Sequence, residues 1–183
     1  MLQIFRSLLG AMPRRISSDA WDAADDDEHA TVRFRPRLVA QLIADHAVLR
    51  ECMRHVLDAC RTRDEDAQII GLQRFAEAFR RVNLTKAVQF YPYLLWAITR
   101  DRLATNQFKA VHVDIQGRMQ GIDALLREYL HAPWLSAQRR RLFHDVALIA
   151  HLLAQSCRME EATLLPLYLP PGQYRHLRGV QGA

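Results

Sequence analysis

The stretch "RVNLTKAVQFYPYLL", residues 81–95, reads as the second half of an amphipathic helix. Apolar residues recur at helical spacing through Leu72, Phe75, Phe79 and Val82, and again at Phe90 and Tyr93. Lys86 falls in the same stripe, where the periodicity asks for a core residue. Burying an unpaired ammonium costs several kcal/mol or forces it to give up its charge. The stripe therefore implies a partner for Lys86 inside the fold, or a path by which its ammonium reaches the surface.

Working outward, the same stretch belongs to the second of four helical patterns. The first, roughly 37–61, carries Val39, Leu42, His46, Leu49, Met53, Val56 and Cys60 at alternating gaps of three and four. The second spans roughly 65–99, opening after an acidic "DED" and containing Pro92, which predicts a bend or an end to the regular helix one turn earlier. The third, roughly 104–131, lines up Phe108, His112, Ile115, Met119, Ile122, Leu126 and Tyr129 before "HAPW" stops it. The fourth, roughly 136–165, opens on Ser136 as its expected cap and aligns Leu142, Val146, Ile149, Leu153, Ser156, Glu160 and Thr163. Long helices with short connections predict an all-α fold, an antiparallel up-down-up-down four-helix bundle. It occupies 37–168, between a flexible N-terminal segment, 1–36, and a C-terminal tail, 169–183.

Composition narrows the function classes. The 183 residues suffice for one domain, and no apolar run is long enough to cross a membrane as a helix. The opening "MLQIFRSLLGAMPRR" reads as a short amphipathic start, with contact to a membrane surface through residues 1–15 as a minor possibility. The net charge of +5 is almost wholly arginine, with Lys86 and Lys109 the only lysines. No basic run exceeds "RRR" at 139–141 and no aromatics interleave with it, so no specific nucleic-acid surface is expected. Cys52, Cys60 and Cys157 form no CxxC pair and read as free thiols of a reducing cytoplasm. No Gly-rich phosphate loop or nucleophile motif appears, so no enzyme is expected.

Each stripe is interrupted by a polar residue: His46, Lys86, His112, and Ser156 with Glu160. One such residue is ordinarily a satisfied core group, but one per helix predicts a shared polar layer. Iron-binding bundles use such layers, with imidazole and carboxylate ligands projecting from facing helices. On these residues the chain resembles the hemerythrin-like, or HHE cation-binding, domains. "ADHAVLRECM" is similar to their first-helix motif, "LTKAVQFYPYLL" to the end of their second helix, "VHVDI" to their third-helix histidine motif, and "CRMEEATLLPLY" to their fourth-helix motif. The similarity runs over about 37–168.

Residue by residue, the resemblance places metal ligands at His46, His112 and Glu160. It puts a ligand histidine at Val82, a bridging glutamate at Lys86 and another histidine at Ser156, and none of these three retains the ligand type. The resemblance thus implies that Lys86 faces Glu160, fills the site as an internal cation and repels a divalent metal. His46 and His112 would bond to Glu160, Ser156 or a buried water. The expected protein has lost its di-iron centre, holds no cofactor, and serves as a regulatory or protein-binding module with an unidentified protein partner. A fainter similarity, to four-helix regulators that bind bacterial sigma factors, points the same way.

Two alternatives stay open. If Lys86 snorkels outward, His46, His112 and Glu160 form a three-ligand site for iron or zinc, and the protein senses or carries dioxygen, nitric oxide or iron. An enzyme using the Lys86–Glu160 pair for acid–base chemistry is the other. His55 and His151 are expected to point away, and His29, His131, His144 and His176 to lie in loops or on outer faces. Tyr91 and Tyr93 read as packing residues, and Glu161 as a solvated flank of the fourth helix.

Overall fold

The computed structural model describes residues 32–99, 101–130, 133–171 and 173–174. The expected amphipathic start, most of the N-terminal segment, His29, His131, His176 and the last residues of the tail lie outside these. Within them the chain is all-helical, with four long helical segments assembled as a bundle. No helix of the described residues is long and apolar enough to cross a membrane.

Helix α1 spans Leu38–Thr62 and α2 spans Glu65–Thr85. Between them Arg63 adopts the left-handed conformation (φ 57°), and the Asp64 N–H bonds back to the Ala59 carbonyl at 3.1 Å. The Asp64 side chain then caps α2 by accepting from the Ala67 N–H. Regular α-geometry ends at Thr85 and gives way to a π turn, Lys86–Phe90, before α3 resumes at Tyr91–Ile98. Here the Tyr91 N–H reaches the Lys86 carbonyl five residues back. Widening the helix just before Pro92 relieves the clash its ring would make with the carbonyl four residues earlier, so the expected break takes the form of a π turn.

Helix α4, Arg102–Tyr129, is capped by Asp101, whose side chain accepts from the Ala104 N–H. Helix α5 spans Ser136–Met159, with Leu135 at the cap position and Ser136 already helical. No side chain caps the first helical N–H groups as expected of Ser136; instead the Gln138 side chain reaches back and accepts from the Leu135 N–H at 2.7 Å. After Met159 a second π turn, Glu160–Leu164, carries the chain into a 3₁₀ turn at Leu165–Leu167. Its Leu165 N–H bonds to the Glu160 carbonyl, and Pro166 follows. The two breaks match residue for residue: an inward-facing charge opens each π turn and a proline stands six positions later.

α1 packs against α2 and α5, α4 against α5, and α2 and α3 against α4, closing a ring around one core. Leu42, Leu49, Met53, Val56, Leu72, Phe75, Ile115, Ile122, Val146 and Ile149 line it. Phe34, ahead of α1, stacks on Tyr168 and tilts against Tyr93, so the packed body begins a few residues before residue 37. At the other end Tyr174 donates to the Leu167 carbonyl, tying the first residues of the expected tail to the body.

Two helical glycines give opposite expectations. A Cβ at Gly71 would sit 2.9 Å from Val56 Cγ2, a stiff β-branched neighbour, whereas one at Gly117 would meet nothing within 4 Å. Gly117→Ala should raise stability by about 1 kcal/mol through helix propensity alone. Gly71→Ala should lower the Tm in a thermal melt despite the same gain.

Candidate functional site

The polar residues in the stripes do converge, but not all of them and not alone. Lys86 and Glu160, which open the two π turns, meet in the interior: Lys86 Nζ donates to Glu160 Oε2, and both side chains are almost fully buried. Snorkelling is not what this lysine does. His46, fully buried on α1, stands with Nε2 3.0 Å from the same carboxylate oxygen. That contact is an ion pair out of line for a directed hydrogen bond, since Nε2 has no hydrogen-bond partner by direction.

Two placements differ from the sequence expectation, and a third narrows it. Tyr91, read as packing, donates its hydroxyl to Glu160 Oε1. The π turn accounts for this, because the extra residue brings Tyr91 round onto the inner face. Glu161, read as solvated, is half-buried and accepts from His46 Nδ1 at 2.8 Å, while Arg50 reaches the same oxygen at 3.2 Å. The imidazole thus spans from the buried carboxylate to a surface ion pair. His112 does not bond to Glu160. It lies parallel to Phe108 at 5.2 Å between centroids, meets Tyr91 edge-on at 4.4 Å, and has only a long 3.4 Å contact with Gln116. Tyr91 takes the carboxylate oxygen and leaves the imidazole against its ring.

Of the substituted positions, Val82 is an ordinary core residue and Ser156 is buried with its hydroxyl unpartnered. His55, His144 and His151 are exposed. The three cysteines are free, with Cys157 buried beside His46. Among the described residues, no three His, Cys, Asp or Glu side chains gather in an arrangement suited to a metal ion.

The electrostatics follow from this wiring. Burial alone would raise Glu160, but the Lys86 ammonium and the contacts from His46, Lys86 and Tyr91 outweigh it and hold the carboxyl at about 2. Burial pushes His46 down, yet its contacts with Cys157 and Glu160 prevail over this and over the opposing Lys86 charge, raising it to about 9. Burial and then the Glu160 charge keep Tyr91 well above the ordinary phenol range, so it remains a donor. His112 is lowered by burial, only partly countered by Glu160, and stays neutral. The cluster thus holds two carboxylates, an ammonium and an imidazolium, with Arg50 at the rim.

No family model, curated protein or solved structure matches the chain. The resemblance noted in the sequence therefore rests on its motifs, and the geometry stands by itself.

The shifts give a pH dependence of known sign. His46 is raised from 6.5 to about 9, so its stabilisation is complete below 6.5 and fades as the pH rises through 9. Glu160 is lowered from 4.5, so its share is present above that value and lost as the pH falls through about 2. His112, lowered from 6.5, acts in the acid direction and cancels when two proteins that both carry it are compared. The stability difference between wild type and His46→Gln should be largest near pH 6.5 and shrink as the pH passes 9, measured by urea unfolding at a series of pH values.

Proposed function

We propose that this protein is an antiparallel, up-down-up-down four-helix bundle of the hemerythrin-like kind whose metal site has been given over to an ion pair, and that it works as a regulatory or protein-binding module. The observation that carries the reading is the Lys86 ammonium seated on the Glu160 carboxylate at the two positions where the sequence resemblance expects bridging carboxylates. The two-residue link Arg63–Asp64 between α1 and α2, which pack together, supports the antiparallel order.

The donor set does not suit a di-iron centre. One imidazole and one carboxylate meet, the carboxylate is already engaged by an ammonium and a phenol, and His112 is held against aromatic rings. A divalent ion would have to enter beside a fixed positive charge and take Glu160 away from three partners. Pairing inside the bundle instead keeps the fold without metal. Large apolar side chains on outer helix faces, including Leu84, Val88, Leu103 and Val113, offer surface for a partner.

Elemental analysis of the purified protein for iron, zinc and manganese, beside a visible spectrum, tests the reading. Metal well below one equivalent and a colourless solution are expected. Near-stoichiometric iron would replace this reading with that of a metal-binding sensor or carrier built on His46 and Glu160. The double change Val82→His with Lys86→Glu should increase metal uptake if the two π turns mark the old metal level, and unchanged uptake would count against that placement.

A further inference from the structure

The hydrogen-bond inventory around Glu160 does not close with the side chains alone. An ammonium has three donors, and Lys86 directs one of them to Glu160 Oε2. A carboxylate has about four acceptor sites. Glu160 accepts directed bonds from Lys86 and Tyr91, while the His46 ring lies against a third side of the carboxylate as an ion-pair contact. Ser156 stands one turn before Glu160 on the same helix, which puts both side chains on one face. Its hydroxyl is buried and has no partner.

That hydroxyl has an easy local alternative which it forgoes. Thr85, Thr99 and Thr163 each turn back and donate to the carbonyl four residues earlier, at 3.1, 2.6 and 2.5 Å. Ser156 makes no such bond to Leu152. Ser156 lies one turn from Glu160, the carboxylate that Lys86 also holds, so the unpartnered hydroxyl and the spare donors of Lys86 belong to the same polar level. Leaving a buried hydroxyl unmade costs about 1–3 kcal/mol, and such orphans are rare in folded proteins.

The geometry points to a binding site for one internal water molecule between Lys86, Ser156 and Glu160. Such a water accepts from the Lys86 ammonium, donates to Ser156 Oγ, and donates its second proton to the last free acceptor site of Glu160. The Ser156 hydroxyl and the free acceptor site of Glu160 then both gain a partner without a further charge entering the core, and a neutral guest that can donate and accept is what these spare positions match. Ser156 is on this account a water ligand where the resemblance expects a metal ligand. The inference rests on the metal-free reading of the same cluster.

A high-resolution crystal structure of the wild-type protein, with anomalous scattering data, tests it directly. The expected result is a single light-atom peak about 2.6–3.2 Å from both Lys86 Nζ and Ser156 Oγ. An anomalous peak with contacts of about 2.0–2.3 Å would overturn this inference and the metal-free reading together. No peak, with the Ser156 hydroxyl turned to the Leu152 carbonyl or bonded straight to Lys86, would overturn this inference alone. In solution, oxygen-17 relaxation dispersion should lose the contribution of one long-lived water in Ser156→Val. An unchanged dispersion from that variant, folded by circular dichroism, would also contradict the site.

Discussion

The Lys86–Glu160 ion pair sets the terms for the rest of this bundle. An ammonium and a carboxylate taken out of water each lose several kcal/mol of hydration, and their mutual attraction offsets that only when the remaining hydrogen-bonding capacity is also met. The surroundings of Glu160 meet much of it. Tyr91 occupies the second carboxylate oxygen, His46 adds a positive charge at 3.0 Å, and Glu161 with Arg50 balances that imidazole toward the surface. Remove any one of these and a buried charge is left short of a partner. The pair is therefore better understood as the centre of a six-residue assembly than as a lone salt bridge.

The backbone is shaped to bring that assembly together. Lys86 and Glu160 each open a π turn, and a proline follows each turn at the same distance. Since Pro92 and Pro166 cannot continue an ordinary α-helix, the two breaks are fixed by covalent structure and not by the ion pair alone. Both helices therefore deform at the residue that carries the buried charge. π turns are uncommon and tend to sit at functional positions. Here the matched pair presents an ammonium and a carboxylate to each other inside the bundle.

Much of this was legible in the sequence, for reasons that can be stated. Stripes at gaps of three and four fix α1, α2, α4 and α5, because burial of one helix face is a strong and local constraint; Leu42–Leu49–Met53–Val56 is a clear instance. Lys86 and Glu160 were visible as interruptions of those stripes. Tyr91 and Glu161 were not, because each lies one position from a stripe counted at constant helical spacing, and a π turn inserts a residue that shifts the count. The recoverable signal was the repeated six-residue interval from charge to proline, Lys86 to Pro92 and Glu160 to Pro166. His112 was legible only in part, for a different reason. Spacing located its helix face, but only the neighbouring rings of Phe108 and Tyr91 decide whether an imidazole bonds or stacks.

The most direct test of the central claim is the coupling energy between Lys86 and Glu160 from a double-mutant cycle, using Lys86→Met, Glu160→Gln and the combined variant in equilibrium unfolding. The account predicts that Lys86→Met alone costs about 3–5 kcal/mol by stranding a buried carboxylate. Adding Glu160→Gln should then recover most of that loss, giving a strongly non-additive cycle. A loss under about 1 kcal/mol for Lys86→Met, with additive effects in the combined variant, would contradict an internal ion pair as the centre of the fold.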